Sequence, residues 1–285
     1  MKPYLQFDFP SQHKPLIFTD PIEVLTTHHC KDIPNILNKV DYLLSEGYYV
    51  AGFVSYEAAP AFDSAFKVHS NPVLPLVWFG VFTKPIHIAM QVQGNFQLSD
   101  WNLSMNYRSY QDKIKQIKQA IESGDTYQVN FTTRLHAAFE GKDYMLYNQL
   151  IANQQPSYGA YVNIGRYRIL SASPELFFSV KNNKIMAKPM KGTAKRGRFI
   201  AEDMQLIQHL KQSEKEKAEN LMIVDLLRND IGRIAKTGSV RVPHLFEVET
   251  YPTVHQMTST IEAELEDNIT VFDWFKALFP CGSIT

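Results

Sequence analysis

Three segments carry most of the information in this sequence: SPELFF (173–178), KPMKGTAKRG (188–197) and EKAENLMIVDLLRND (216–230). The first places a carboxylic acid, Glu175, just before an apolar run. The second places an amine, Lys191, among other cations. The third places two glutamates three residues apart on a predicted helix, so that they share a face. An acid, an amine and a pair of oxygen ligands in one stretch predict a catalytic centre within a mixed helix-and-strand fold.

These segments, in this order, resemble the catalytic core of the chorismate-utilising enzymes. That family includes anthranilate synthase component I, isochorismate synthase, salicylate synthase and aminodeoxychorismate synthase component I. The resemblance covers roughly residues 105 to 285. The lysine of the Pro-x-Lys-Gly-Thr run at 189–193 is similar to that of the aminodeoxychorismate synthase branch, whereas anthranilate synthases usually carry alanine there. The Lys191 motif therefore favours the aminodeoxychorismate synthase branch.

The resemblance implies an α+β fold like that of anthranilate synthase component I. Two large, mostly antiparallel β-sheets would pack as a sandwich with helices outside, and the active site would lie between the sheet layers. Periodicity alone predicts only a mixture of helices and strands. We expect residues 1–100 to form an N-terminal subdomain of the same fold and residues 101–285 to form the chorismate-binding catalytic core.

Composition is that of a globular protein without a nucleic-acid or membrane partner. Of the 285 residues 45% are hydrophobic, which is enough for a buried core. Lys+Arg and Asp+Glu are both 29, a balance that gives no support for binding to polyanions. The two cysteines, Cys30 and Cys281, give no disulfide framework. Because the sequence also lacks a signal peptide and an 18-residue apolar run, we expect a cytoplasmic protein.

Hydrophobic periodicity predicts most of the helices and strands. Asp32 is expected to cap a helix that begins at Ile33. An amphipathic helix is predicted at 107–123, and alternation from Tyr127 to Leu135 predicts a strand whose polar row faces either the active site or solvent. Further helices are predicted at 143–152, 201–210, 213–227 and 271–278, and further strands at 48–56, 158–164, 168–171, 176–180, 184–187 and 253–265.

Glu175 is the candidate general acid. A hydroxyl is a poor leaving group, so its departure from chorismate requires protonation. Apolar residues directly after Glu175 predict a carboxyl whose pKa is raised by burial, so that it stays protonated near neutral pH. Taken alone, Ser-Pro-Glu would instead be typical of a surface turn, and its spacing to the Lys191 motif favours the catalytic interpretation.

Lys191 is the candidate nucleophile. An amine must be neutral to attack, and nearby Lys188, Lys195 and Arg196 would lower its pKa if they were also close in space. The resemblance implies that Lys191 adds at C2 of chorismate as the C4 hydroxyl leaves, after which ammonia attacks C4 and expels the lysine. The alternative is a lysine on a basic turn that holds a carboxylate only by charge.

Glu219 and Glu216 are the candidate ligands of a Mg²⁺ ion, which prefers oxygen donors and keeps several waters. The ion would neutralise the ring carboxylate of the substrate. On a charged helix, a glutamate pair at this spacing is usually a solvated face, so only the surrounding motif favours the metal interpretation.

Other site residues follow from the resemblance alone. Histidine at position 255 is similar to a family active-site histidine, although a satisfied core histidine is nearly as good an interpretation. Substrate binding is expected at Gly192, Thr193, Gly282, Ser283 and Thr285.

The sequence departs from the family pattern at its end. In relatives the turn at 279–285 continues into residues that supply an arginine, a tyrosine and two further glutamates. We therefore expect an incomplete fold and site, belonging either to a fragment of a longer protein or to a truncated gene product.

Three functions compete. The first is aminodeoxychorismate synthase component I, which makes 4-amino-4-deoxychorismate for p-aminobenzoate and folate, with ammonia from a glutamine amidotransferase partner. The second is anthranilate synthase component I, which Lys191 argues against. The third is a catalytically impaired chain that only binds its partner.

Overall fold

The computed structural model describes residues 2–9 and 14–284 as an α+β fold in which, across this part of the chain, every strand pairing is antiparallel. The strands are β1 (Tyr4–Asp8), β2 (Leu16–Thr19), β3 (Glu23–Thr27), β4 (Tyr49–Val54), β5 (Val77–Phe82), β6 (Phe96–Leu98), β7 (Asn102–Leu103), β8 (Leu135–His136), β9 (Phe139–Gly141), β10 (Tyr158–Asn163), β11 (Arg168–Ser173), β12 (Leu176–Lys181), β13 (Lys184–Lys188), β14 (Met190–Lys195), β15 (Arg241–Thr250) and β16 (Val254–Glu264). The helices are α1 (Ile33–Ser45), α2 (Tyr107–Glu122), α3 (Asp143–Gln154), α4 (Ile200–Gln212), α5 (Glu214–Gly232) and α6 (Val271–Leu278), with 3₁₀ turns at Cys30–Asp32 and Tyr56–Ala61. The predicted fold class is confirmed.

The described residues group into two compact units. The first consists of residues up to 90 together with 147–283, and the second consists of 91–146 together with 284. The first unit holds three sheets, ordered β11-β10-β1-β2, β12-β13-β16-β14 with β15 on β16, and β3-β5-β4. The second holds two short strand pairs, β6-β9 and β7-β8. The predicted subdomains, residues 1–100 and 101–285, are a different division from these two compact units and stay a prediction.

Strand β16 is the centre of the five-stranded sheet. β15 pairs along one of its edges, while β13 and β14 pair with successive parts of the other. Helix α5 packs against this sheet, because its apolar residues recur at helical spacing and meet the alternating apolar residues of β13 and β16. The buried set comprises Ile223, Val224, Leu227 and Ile231 of α5 with Ile185, Ala187, Ile261 and Ala263 of the strands. This packing fixes where α5 lies relative to β14.

Two local predictions are wrong. The Asp32 carboxylate does not cap α1, because it accepts a hydrogen bond from the Thr27 hydroxyl at 2.8 Å. Residues 127–134 form no strand, and only Leu135–His136 pairs, with β7. Tyr127 is 87%, Leu135 54% and Val129 42% exposed, so most of the apolar row of this segment lacks a packed surface to stabilise an extended conformation.

Candidate active site

Three segments of the first unit meet at one place: the residue before β12, the first half of β14 and the turn after α6. Ser283, which is 5% exposed, joins them. Its hydroxyl donates to Glu175 Oε1 at 3.0 Å, and its carbonyl oxygen accepts a hydrogen bond from Lys191 Nζ at 2.6 Å. The candidate acid and the candidate amine are therefore brought together on one residue.

Glu175 is held in a partly buried position at the start of β12. Burial raises the pKa of this carboxyl, which is the direction expected from the apolar sequence that follows it. Hydrogen bonds from Ser283 and from the Met190 backbone, and the charge of Lys191, oppose that rise without cancelling it. A carboxyl in this environment can carry a proton closer to neutral pH than an exposed glutamate can.

Lys191 lies on β14, not on a turn, and its cationic sequence neighbours face other partners. Lys188 forms an ion pair with Glu249, and Arg196 binds Asp203 through two guanidinium nitrogens. The charges of these two cations are therefore balanced by carboxylates. Lys191 itself donates a hydrogen bond to an uncharged acceptor, the carbonyl oxygen of Ser283.

Gly192 lets helix α5 approach β14 closely. The pairing of β14 with β16 shifts register between Met190 and Thr193, and Gly192 has a φ of +97° in this irregularity. A Cβ atom at this position would lie 3.1 Å from Glu216 Oε2 and 3.2 Å from the Met257 Cβ. Only glycine fits both the backbone angle and the space, so the Glu216 carboxylate lies against the strand next to Lys191.

Asn220 ties α5 to the two strands of the site. It is fully buried, and its amide nitrogen donates to the carbonyl oxygens of Lys191 and Met257, each at 3.4 Å. Its amide oxygen accepts a hydrogen bond from Ser259 Oγ at 2.6 Å. A buried amide with these partners fixes the position of α5 relative to β14 and β16.

Glu216 and Glu219 offer a small set of oxygen donors on one face of α5. Both are partly buried, and Glu219 Oε1 lies 3.7 Å from the Lys215 ammonium. Among the described residues, no three histidine, cysteine, aspartate or glutamate side chains come together as a metal-binding cluster. Two carboxylates fit a Mg²⁺ ion that takes its remaining ligands from water and substrate.

His255 is hydrogen-bonded to side chains other than the acid and the amine. It is fully buried, with Nε2 2.8 Å from Asp203 Oδ1 and Nδ1 2.9 Å from Thr250 Oγ1. Arg196 and the Gly197 amide also bind Asp203, and these bonds hold the pKa of that carboxyl well below its usual range. The substrate contact expected for His255 stays a prediction, while the contacts present are those of a satisfied core histidine.

Gln256, the next residue of β16, occupies the opposite face of the strand. It pairs across the sheet with Thr193, and Thr193 Oγ1 donates to Gln256 Oε1 at 3.0 Å. Sequence reasoning missed this residue, although strand alternation already places neighbouring residues on opposite faces. It also missed Asn220, Asp203 and Cys281.

The remaining predicted substrate residues are distributed along the same segments. Gly282 packs against α5, where an added Cβ would lie 2.1 Å from Leu226 Cδ2. Thr193 is exposed on β14. Thr285 lies outside the described residues.

Within residues 2–9 and 14–284, no helix combines the length and apolar character needed to cross a membrane.

Comparison with known proteins relates this chain to one protein family. Residues 89–285 match the family model described as chorismate binding enzyme. The chain is 43% identical over 194 residues to aminodeoxychorismate synthase component 1 of Escherichia coli K12, across 68% of this chain and 43% of that protein. It is 36% identical over 186 residues to anthranilate synthase component 1 of Aquifex aeolicus, across 65% of this chain and 38% of that protein.

The fold is shared with a solved member of the group. The crystal structure of anthranilate synthase component I from Streptococcus pneumoniae superposes with a TM-score of 0.75 at 22% identity, covering 99% of this chain and 71% of that one. This chain spans less than half the length of the curated relatives it matches, at 43% and 38% of the two named above. The family model nevertheless covers more than half of the chain, and the protein belongs to the chorismate binding enzyme family.

Proposed function

We propose that this protein acts as an aminodeoxychorismate synthase component I, converting chorismate and ammonia to 4-amino-4-deoxychorismate. The observation that carries the proposal is the joint attachment of Glu175 and Lys191 to Ser283, which supports an acid and an amine acting on the same substrate. The 43% identical relative of that name supports the same reaction. The product would serve p-aminobenzoate and folate synthesis.

The chemistry begins with the amine and the acid acting at opposite ends of the conjugated diene of chorismate. Lys191 Nζ forms a bond to C2, both ring double bonds shift along the ring, and the C4–O bond breaks while Glu175 gives the departing hydroxyl its proton. Burial of Glu175 keeps that proton available. The hydroxyl leaves as water, and the substrate stays attached to Lys191.

Ammonia completes the exchange. Its nitrogen forms a bond to C4, both ring double bonds shift back, and the C2–N bond to Lys191 breaks. One proton of ammonia replaces the proton that Glu175 gave, so the carboxyl is restored and the net change is hydroxyl for amine at C4. The relatives' designation as component 1 supports a second component, and we propose that a glutamine amidotransferase supplies the ammonia.

Glu216 and Glu219 are proposed to hold Mg²⁺, which supplies positive charge opposite the ring carboxylate of chorismate. The position of Glu216 against Gly192 supports this, because it puts a carboxylate beside the strand that carries Lys191. Thr193, Gly282, Ser283 and Thr285 are proposed to bind substrate, and the substrate contact of His255 remains part of the proposal.

Product identity tests the function. The protein is incubated with chorismate, Mg²⁺ and an ammonium salt, and the products are separated and identified by mass and absorbance. We expect 4-amino-4-deoxychorismate from the wild type and none from Lys191→Ala. Anthranilate as the product would instead establish the alternative that the Aquifex aeolicus relative supports. Chorismate binding without either product would contradict both.

A further inference from the structure

Ser283 joins the acid and the amine through two different atoms, its side-chain hydroxyl and its backbone carbonyl. Building on the proposed function, we propose that Ser283 is a positioning residue. Its hydroxyl directs the acidic proton of Glu175, its carbonyl directs the lone pair of Lys191, and the Cys281 thiol fixes the direction of the hydroxyl. Each of these three contacts is within hydrogen-bonding distance in the structure.

The Ser283 hydroxyl determines which oxygen of Glu175 carries the proton. It donates to Oε1 at 3.0 Å, so Oε1 acts as the acceptor of this bond. A protonated carboxyl has its hydrogen on one oxygen only. The carbonyl oxygen of a protonated carboxyl is a better acceptor than its hydroxyl oxygen, so the bond from Ser283 to Oε1 favours the hydrogen on Oε2. Ser283 therefore selects Oε2 as the oxygen that protonates the leaving group.

The Cys281 thiol completes a one-directional chain of hydrogen bonds. A serine hydroxyl has a single hydrogen, and that of Ser283 is used toward Glu175. In the 3.2 Å contact between the Cys281 sulfur and Ser283 Oγ either group can donate, and the donor is assigned to the thiol because the Ser283 hydrogen is directed at Glu175. Burial raises the pKa of the Cys281 thiol, which keeps its hydrogen in place.

The backbone carbonyl of Ser283 orients the amine. A neutral amine has two N–H bonds and one lone pair. When one N–H points at the Ser283 oxygen at 2.6 Å, the lone pair points away from that oxygen. Because this acceptor is a backbone atom, it remains in any side-chain variant of Ser283. Replacing the hydroxyl therefore separates the effect on Glu175 from the effect on Lys191.

Several groups of the described residues face these side chains. The Glu175 carboxyl meets the Ser283 hydroxyl, the Met190 backbone amide and the charge of Lys191. The Cys281 thiol meets Ser283 and the charges of Glu175 and Asp230. Of these, only the Ser283 hydroxyl can be removed from Glu175 without changing a charge.

Titration of Glu175 tests the proposal directly. In protein labelled with ¹³C-glutamate, its carboxyl resonance is the one that Glu175→Gln removes. We expect Ser283→Ala to shift the titration midpoint of Glu175 upward, because the hydroxyl that is removed stabilises the ionised carboxylate. Ser283→Thr, which keeps a hydroxyl, should restore the midpoint. Ser239→Ala is the matched control, since that hydroxyl donates to the Glu264 backbone carbonyl instead. A Ser283→Ala midpoint equal to that of the wild type and of Ser239→Ala would overturn the proposal.

Two cysteine variants test the thiol. Cys281→Ser keeps a donor and should leave the Glu175 midpoint near that of the wild type. Cys281→Ala removes the donor and should move the midpoint in the same direction as Ser283→Ala, but less far. Thermal unfolding of each variant shows that the measurement is made on folded protein. A Cys281→Ala midpoint identical to the wild type, in folded protein, would refute the role of the thiol.

The rate of substrate attachment gives a second, independent readout. With chorismate and no ammonia, we expect Ser283→Ala to attach substrate to Lys191 about ten- to hundredfold more slowly than the wild type. The reason is that a wrongly oriented Glu175 proton slows the chemical step more than it weakens the binding of chorismate. An unchanged rate would overturn the positioning role. The titration needs no chorismate, so a wild type that forms no adduct would count against the proposed function alone.

Discussion

At the residue scale, Gly192 determines how closely the α5 carboxylates can approach the strand that carries the amine. Its φ of +97° lies in the region that residues with a Cβ rarely adopt, and the space beside it is already taken by Glu216 and Met257. The left-handed conformation and the close contact therefore require the same residue. A larger side chain here would separate the candidate metal ligands from Lys191.

Gly192→Ala should destabilise the protein by about 2–4 kcal/mol, because the added methyl group meets both a strained backbone and occupied space. Gly238→Ala is the matched control: its φ is +78°, but nothing lies within 4 Å of the added Cβ. That variant should lose only about 1 kcal/mol. Urea unfolding of both variants measures the difference, and equal losses would contradict the packing described around Gly192.

The raised pKa of Glu175 also makes the stability of the protein depend on pH. A group whose pKa is higher in the native than in the unfolded state holds more protons when folded. The stability that such a group contributes is fully present below its pKa in the unfolded state, and it is lost as the pH rises through its pKa in the native state. Glutamine at the same position carries no charge at any of these pH values.

We therefore expect the free energy of unfolding of the wild type, measured relative to Glu175→Gln, to fall as pH rises. The fall should lie above the ordinary range of a glutamate, because burial raises the pKa of Glu175. Urea unfolding of both proteins between about pH 4 and pH 8 measures it. A difference that stays constant, or that grows with pH, would show that the carboxyl is not destabilised by burial.

Residue types could be predicted at this scale more reliably than residue contacts. The sequence identifies Glu175 and Lys191, and the structure brings both to Ser283. The sequence also indicates His255 as a site residue, whereas the structure shows that the side chain bonded to Thr193 is that of Gln256. Alternation gives a strand two faces, but only the packing of α4, which carries Asp203, shows which face receives His255.

At the element scale, helix α5 is held against the sheet by an apolar face and by one buried amide. The apolar face supplies most of the burial, and each fully buried leucine or isoleucine contributes about 1.5–3 kcal/mol. Asn220 supplies direction, because its bonds to β14 and β16 are satisfied only when the helix lies in one register.

Asn220→Ala should cost about 2–4 kcal/mol, because it leaves the Ser259 hydroxyl and two carbonyl oxygens without their partner. Asn38→Ala, an exposed position in the middle of α1, is the control for the same substitution and should change stability by less than about 0.5 kcal/mol. Guanidinium unfolding compares them. A loss for Asn220→Ala as small as that for Asn38→Ala would refute the role given to this amide.

The elements themselves were largely predictable. Helices α1, α2, α3, α4, α5 and α6 all begin within one residue of the predicted positions, since apolar spacing and end signals agree. The strand predicted at Tyr127–Leu135 fails, because alternation describes a surface that could pack but supplies no partner for the backbone. The register shift at Gly192 could not be read from periodicity either.

At the scale of the whole molecule, the two compact units differ in how much they bury. The first unit contains three clusters of buried apolar residues. In the second unit, α2 has no buried residue, and the paired strands are two or three residues long. Segments with little buried apolar surface open at low free energy.

Amide hydrogen exchange should therefore be faster in α2 than in α5 by at least about tenfold under native conditions. The two helices are of similar length, 16 and 19 residues, so the comparison is between burial and exposure of a regular helix. Mass spectrometry of peptides from both helices measures it. Equal protection would mean that the stability of α2 does not follow from the packing described for it.

Intact mass shows whether Lys191 acts as a nucleophile beside the acid Glu175. The protein is incubated with chorismate and Mg²⁺ in the absence of ammonia, with Lys191→Ala treated in the same way. We expect the wild type to gain the mass of chorismate less one water and Lys191→Ala to gain nothing. A folded wild type without an adduct, or an adduct that persists in Lys191→Ala, would contradict this role of Lys191.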